Sequence, residues 1–382
     1  MDLDTRYPHL TDLARKARSR LPKFVWEYLD SGTGDERTKA RNRTALDTLG
    51  FLPSILHGET EPDLSVSLLG MRYQRPFGIA PVGMSGLIWP NAERHLARVA
   101  NQEGMPYTLS TVAAAAPEDV AEVIGDQAWF QLYPPRDPDI RQDMLNRAKA
   151  AGFKALVLTV DLPAPSRRER QTRSGLTQPP RITPRLLAQT AMRPAWALAM
   201  ARNGMPHMRT LDKYIDAQSR GLPSTAHVGY LLRAAPDWEY VAWLRDHWDG
   251  PFIIKGVLKA ADAARLEKMG IDAVWVSTHA GRQFDGAPGA INLLPAVRAA
   301  TSLPIIFDGG IEGGLDILRA MGLGANFVML GRAWHFAIAA LGGDTGPEHL
   351  AKILTADLIS QMGHLNLQNL GAVPKPFTLN TE

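Results

Sequence analysis

The chain has 382 residues, 45% hydrophobic and 21% charged, which fits a globular protein of one large domain or two average ones. A net charge of +3, with no dense Lys/Arg stripe, argues against nucleic acid as a partner. The absence of cysteine excludes disulfides, cysteine-ligated zinc, iron–sulfur clusters and thiol catalysis.

The first residues, Met1-Asp2-Leu3-Asp4-Thr5-Arg6, lack the apolar core of a signal peptide, so a cytoplasmic location is expected. Residues 1–70 read as a helical lead-in, amphipathic over 10–28. Eight short apolar runs follow, at 77–82, 107–110, 129–133, 155–161, 252–256, 272–276, 303–308 and 326–331. Between most of them lie segments with helical spacing, at 92–102, 117–123, 141–150, 260–269 and 315–321. Continuous apolar strands alternating with amphipathic helices predict a parallel sheet covered by helices. Eight units point to a closed (β/α)8 TIM barrel, a single domain over 1–382. An open Rossmann sheet is disfavoured, because no Gly-x-Gly-x-x-Gly follows the first run.

Residues 162–235 form an excursion between strands four and five that is far longer than a usual connection and predicts a lid, a docking element or both. Within it, 185–202 mixes Leu186, Leu187, Trp196, Leu198 and Met200 with Arg185, Arg193 and Arg202, and Arg181 lies just before. The stretch is too short and too charged to span a bilayer. It reads as a helix capping the barrel mouth, or as a basic amphipathic helix making membrane-surface contact over 181–209, peripheral on the inner membrane face. Pro194 breaks or begins a helix there.

In such a barrel the carboxyl ends of the strands converge on one site. Taken in order, those ends are Ala80-Pro81-Val82, Ser110, Gln131 with Tyr133, Thr159 with Asp161, Lys255, Ser277 with His279 and Arg282, Asp308-Gly309-Gly310, and Gly331-Arg332. An imidazole near neutral pKa can take a proton, and a guanidinium three residues on can hold a carboxylate. Gly-rich turns after strands seven and eight, with Arg332, suit a phosphate.

These blocks, together with Tyr28, Ser31-Gly32 and Arg167-Arg168-Glu169, resemble the FMN-dependent L-2-hydroxy acid dehydrogenase/oxidase family, which includes glycolate oxidase, L-lactate dehydrogenase and mandelate dehydrogenase. The resemblance runs from Leu21 to about residue 370. Ser110-Thr111-Val112 and Trp248-Asp249-Gly250 look most like the lactate and mandelate dehydrogenases. It implies FMN as cofactor and oxidation of a small 2-hydroxy acid to the 2-oxo acid. By this resemblance His279 is the base, by a hydride or a carbanion route, and Asp161 stabilises its protonated form. Arg168 and Arg282 grip the substrate carboxylate, while Tyr28 and Tyr133 touch the carboxylate and the 2-oxygen. Lys255 lies near flavin N1. Ser110, Gln131 and Thr159 contact the isoalloxazine ring, and Ala80, Pro81 and Val82 support it. Ser277, Asp308, Gly309, Gly310, Gly331 and Arg332 complete the cofactor contacts.

The resemblance further implies a homo-oligomer, a tetramer as in relatives, and an electron acceptor that is a quinone or cytochrome in preference to oxygen. The rival readings are an oxygen-using oxidase, a flavin-poor barrel acting as a binding protein, and an isomerase. Three positions depart from the family pattern. Thr278 and Ala280 flank the histidine where Asn and Gly are usual, and Glu312 stands where an arginine usually meets the FMN phosphate. Glu312 is expected to point to solvent and favour its helix N-terminus. Val112, where some relatives carry a bulky aromatic, hints at room for a larger acid.

Overall fold

The computed structural model describes residues 2–176, 183–214 and 235–379. Eight parallel strands form the barrel: Phe77–Ile79, Thr108–Ser110, Trp129–Leu132, Ala155–Thr159, Phe252–Lys255, Ala273–Val276, Ile305–Phe307 and Phe327–Leu330. Each predicted run contains one of them. Neighbours in sequence are neighbours in the sheet, and the eighth strand returns to the first through the registers Val328–Phe77 and Leu330–Ile79. The remaining seam, between strands one and two, is closed by the Ile79 N–H donating to Pro106 O at 2.9 Å. Nearly every strand residue is buried, as expected where helices cover a parallel sheet.

The barrel floor is aromatic. Trp129 packs against Trp275 and Phe327, with centroids 6.4 Å apart in each pair. Tyr73, fully buried at the end of the hairpin formed by Val66–Leu68 and Met71–Tyr73, closes the floor and accepts a hydrogen bond from Trp129 Nε1 at 3.2 Å. Apolar bulk below leaves the polar chemistry at the opposite, carboxyl rim.

The lead-in differs from the expectation. The amphipathic stretch 10–28 is two helices, Leu10–Arg20 and Lys23–Asp30, because Pro22 has no N–H to continue the first and stands as the N-cap of the second. Residues 49–70 are not helical. Leu49–Gly50 pairs antiparallel with Phe377–Thr378, and the floor hairpin begins at Val66.

Within the excursion, the stretch 185–202 falls in two helices, Pro184–Ala191 and Pro194–Asn203, each opened by its proline, and Pro194 begins the second as expected. Their inner faces dock on the lead-in and on the short helix Ser85–Ile88 after strand one. Phe24 N–H donates to Gln189 Oε1 at 2.9 Å, Trp196 Nε1 donates to Leu87 O at 3.1 Å, and the Phe24 and Trp196 rings meet edge-on at 5.7 Å. Their outer side leaves Leu187, Met192, Leu198 and the following Met205 between 51% and 70% exposed. Arg181 lies outside the described residues. No helix among the described residues is long and apolar enough to cross a membrane.

Candidate active site

A cavity of about 760 Å³ opens at the carboxyl rim. Of the predicted site residues, Tyr28, Ala80, Pro81, Val82, Tyr133, Thr159, Arg168, Lys255, His279, Arg282, Asp308, Gly309, Gly310, Gly331 and Arg332 line it. Ser110, Gln131, Asp161 and Ser277 are not on its wall and stand behind or beside those that are.

His279 projects from a tight turn at the end of strand six. His279, Ala280 and Gly281 take left-handed φ values of 51°, 52° and 73° in succession. Only the third is glycine, and a Cβ there would lie 2.6 Å from Lys39 N. For a non-glycine residue this region costs roughly 1–2 kcal/mol, so the turn stores strain at the position of the imidazole. It is held by the His279 N–H donating to Ser277 Oγ at 3.0 Å and by the Thr33 N–H donating to Gly281 O at 3.0 Å. Thr278, one of the departures from the family pattern, accepts from Asn42 Nδ2 at 2.8 Å, which ties the turn to the helix Arg37–Asp47.

The imidazole Nδ1 lies 2.9 Å from Asp161 Oδ1. Burial pushes the His279 pKa down; Asp161 opposes this, while Lys255 and Arg168 add to it. Burial acts to raise the Asp161 carboxyl, but His279 and Lys255 outweigh it and the net direction is down. Both directions describe a neutral imidazole held by an ionised carboxylate. Such a pair accepts a proton at Nε2 and stabilises the resulting imidazolium.

Facing this base are three guanidiniums. Arg282 is depressed to about 9 by burial and by its neighbours Arg168 and Arg332, and burial likewise lowers Arg332. Guanidinium stays protonated at neutral pH. The crowding therefore means that an anion arriving here is strongly favoured. Arg282 Nη1 donates to Leu29 O at 3.2 Å and Ser31 O at 2.9 Å, which aims its plane across the Tyr28 ring at 5.6 Å. Arg168 sits at the end of an extended loop with φ 45°, its Nε donating to Ser166 Oγ at 3.3 Å. Burial raises both Tyr28 and Tyr133, so both keep their protons and can donate. Tyr28 Oη now donates to Gly83 O at 2.8 Å.

Lys255 closes strand five as a buried cation, 2.8 Å from Ser277 Oγ and 2.9 Å from Asp308 Oδ2. Asp308 also accepts from Trp275 Nε1 at 3.0 Å. On strand three, Gln131 Oε1 accepts from Ser110 Oγ at 2.9 Å, while its buried Nε2 has no partner among the described residues. An unpaired buried donor costs about 1–3 kcal/mol, which a ligand carbonyl would recover. After strand seven, Gly309 and Gly310 take φ values of 116° and 85°, a backbone that brings the chain close to a ligand.

Two expectations change here. Arg332 spends Nε and Nη2 on the carbonyls of Leu29, Ser31 and Ala280, each at 3.2 Å, so it positions main chain as well as facing the cavity. Glu312 does not simply face bulk solvent. It lines the cavity, precedes the helix Gly314–Gly322, and its carboxyl is pushed up by partial desolvation and by Asp316 and Asp47, against Arg43 and His9.

Beyond Tyr28, sequence reasoning missed the lead-in's share of the site. Asp30 and Lys39 line the cavity, and Lys39 Nζ donates to Asp30 O at 2.7 Å. Arg170 pairs with Glu27, Asp30 and Glu36 and clamps the lead-in onto the excursion. No sequence spacing announces contacts this remote. Gly83 directly follows Val82 at the end of strand one. A Cβ there would come 2.7 Å from Val112 Cγ2 and 3.5 Å from Tyr28 Oη, so glycine keeps open the apolar end of the cavity beside Val112.

Comparison with known proteins adds the decisive finding: the model of the FMN-dependent dehydrogenase family matches residues 17–378. The chain belongs to that family. It is 38% identical to an L-lactate dehydrogenase of Pectobacterium atrosepticum over 91% of this chain and 90% of that one. It is 36% identical to an L-lactate dehydrogenase of Caulobacter vibrioides over 95% of each. Among solved structures it resembles the monotopic membrane protein (S)-mandelate dehydrogenase, with a TM-score of 0.92 and 32% identity over 97% of this chain and 99% of that one. A mandelate oxidase aligns with a TM-score of 0.82 and 32% identity over 97% and 98%. FMN is the cofactor of the family, and the buried unpaired Gln131 Nε2, the Lys255 cation and the Gly309–Gly310 turn are features that suit it.

Proposed function

We propose that this family member oxidises an L-2-hydroxy acid, lactate- or mandelate-like, to the 2-oxo acid. The observation that carries the reading is that His279, backed by Asp161, and the guanidiniums of Arg168 and Arg282 face one cavity. A base alone would serve many reactions; a base beside a carboxylate grip selects a hydroxy acid.

The substrate carboxylate meets the forks of Arg168 and Arg282, whose planar donors suit it. Tyr28 and Tyr133, protonated, donate to the carboxylate and the 2-oxygen. His279 Nε2 takes the proton released on oxidation, and Asp161 holds the imidazolium that results. When bound, FMN supplies the acceptor for the two electrons. Lys255 would hold a cation beside the ring where reduction builds negative charge. Ser110, Gln131 and Thr159 would hold the ring's polar edge, and Ala80, Pro81 and Val82 its face. Gly309, Gly310, Gly331 and Arg332 would hold the phosphate, with Ser277 and Asp308 fixing Lys255. Val112 and Gly83 leave space for a side chain larger than hydrogen.

The electrons pass on to a quinone or cytochrome. Peripheral membrane contact through the two helices of the excursion supports that reading. Leu187, Met192, Leu198 and Met205 are exposed beside Arg185 and Arg202, the composition of a surface that enters an anionic interface. Self-association is supported by a separate apolar surface, where Leu52, Ile55 and Leu56 are 79%, 80% and 99% exposed.

The test is anaerobic mixing of the yellow holoenzyme with L- and D-forms of lactate, mandelate and longer 2-hydroxy acids, and with glycolate. Bleaching of flavin absorbance by L-forms alone, abolished by His279→Ala with FMN still bound, is expected. Unimpaired bleaching in His279→Ala would remove the assigned base. Oxygen uptake measured against dye reduction then separates oxidase from dehydrogenase.

A further inference from the structure

The end of the cavity between strands seven and eight carries acids beside its bases. Its wall carries Gly309, Gly310, Glu312, Arg332, Asp30 and Lys39. The cations there already have partners. Lys39 is 3.0 Å from Asp30 Oδ1. Arg43 forks onto Asp316 at 2.5 and 2.8 Å, reaches Asp47 and donates to Gly310 O at 2.7 Å. Arg332 donates from Nε and Nη2 to three carbonyls, which are neutral and leave its charge in place. Groups facing Glu312 come from several elements: Arg43 and Asp47 of the helix Arg37–Asp47, Asp316 of the helix Gly314–Gly322, and His9 before the helix Leu10–Arg20. From the helix Thr345–His364, Asp357 accepts from Gly314 N nearby. Asp308, beyond the glycine turn, is bound to Lys255.

Barrels of this kind bind phosphate after strands seven and eight, and an FMN phosphate carries between one and two negative charges near neutral pH. Bringing it against an ionised Glu312 places like charges together at an end where Lys39 and Arg43 are already paired with acids. We propose that Glu312 couples cofactor binding to a proton: it is protonated when the phosphate enters, and as a carboxylic acid donates a hydrogen bond to a phosphate oxygen. Its carboxyl is raised by burial and by the protein's own acids, which makes it the group that yields. The sign follows. The protonated form binds, so FMN retention is full at low pH and is lost as pH rises through the pKa of Glu312. The inference rests on the phosphate lying at this end of the cavity.

The experiment follows flavin release on dilution of holoenzyme from pH 5.5 to 8.5, by the return of flavin fluorescence, for FMN and for exchanged riboflavin. FMN binding should weaken about tenfold for each pH unit between the pKa of Glu312 in the free protein and its higher pKa in the complex, and riboflavin should show little dependence. Glu312→Gln should flatten the FMN profile and raise the preference for FMN over riboflavin at pH 8; the ionisation of the phosphate itself is common to both proteins and cancels. Calorimetry of wild-type protein freed of flavin, in two buffers of different ionisation enthalpy, should show net proton uptake with FMN and none with riboflavin. That measurement decides the matter if Glu312→Gln does not fold. Identical profiles for wild type and Glu312→Gln, or no proton uptake, would overturn the coupling. Arg332→Gln separates the two layers. If it lowers the FMN preference while Glu312→Gln changes nothing, the phosphate is at this end and the coupling is wrong. If neither substitution moves the preference, the placement fails and the coupling with it.

Discussion

Asp161 Oδ1 lies 2.9 Å from His279 Nδ1, across 118 positions of sequence. Strand four presents the carboxylate and strand six the imidazole, with strand five and its Lys255 between them. Because burial depresses His279, Asp161 is the group that keeps it basic enough to accept a proton. Asp161→Asn should slow flavin reduction by about 10²–10⁴-fold. The low-pH limb of the rate profile reports protonation of His279, which is neutral and competent above its pKa. Removing the carboxylate lowers that pKa further, so the limb should move to lower pH. Stopped-flow reduction rates between pH 5 and 9 check both effects; an unmoved limb would break the link between the two residues.

Arg282 is buried beside two other guanidiniums, which lower its pKa and favour the arrival of an anion. Arg282→Met should raise KM for an L-2-hydroxy acid by about 100-fold, the loss expected for a charged hydrogen bond of about 3 kcal/mol. Arg282→Lys should recover only part, since an ammonium lacks the fork. A non-reacting carboxylate such as oxalate should raise the melting temperature of the wild type more than that of either variant.

Lys255 and Asp308 form a buried pair, 4% and 8% exposed. Lys255→Met leaves the carboxylate without its cation and should cost about 3–5 kcal/mol of stability. The double variant Lys255→Met/Asp308→Asn should regain much of that in thermal unfolding and yet remain slow in flavin reduction. Recovery of reduction together with stability would mean that Lys255 serves only to neutralise Asp308.

Ala280 occupies a left-handed position, φ 52°, directly after the base. Ala280→Gly removes about 1–2 kcal/mol of backbone strain and returns about 0.4–1 kcal/mol through the greater freedom of the unfolded chain. A small net rise in the melting temperature of the holoenzyme is expected, and Ala280→Val should lower it clearly. A glycine variant less stable than wild type would show that the alanine methyl makes a contact worth more than the strain.

Leu187 and Met192 stand on the outer side of the two docked helices of the excursion. Leu187→Glu/Met192→Glu should abolish co-sedimentation with vesicles containing anionic lipid and leave flavin reduction by a soluble hydroxy acid unchanged. Equal sedimentation of both proteins would remove this face as the membrane contact.

Much of the barrel was legible because a parallel strand buried on both faces is a continuous apolar run, and every one of the eight runs contains a strand. The lead-in was less legible. Pro22 splits an amphipathic stretch that periodicity alone joins, and the Leu49–Gly50 strand exists only because Phe377–Thr378 lies beside it. Glu312 was visible as a departure from a family pattern, but its ionisation is biased by Arg43, Asp47 and His9, which arrive from another part of the chain.

The sequence by itself determined the barrel and the order of polar residues along its rim, since both follow from local pattern and from motifs at strand ends. Only the tertiary structure decided which of those residues touch. Strand tilt and closure bring Asp161 to His279, the lead-in carbonyls of Leu29 and Ser31 aim both Arg282 and Arg332, and Asp316, gripped by Arg43, accepts from the N–H of cavity-lining Glu312. Hydrogen bonds and ion pairs are short-ranged, so they are fixed by distances in space that positions along a chain do not encode.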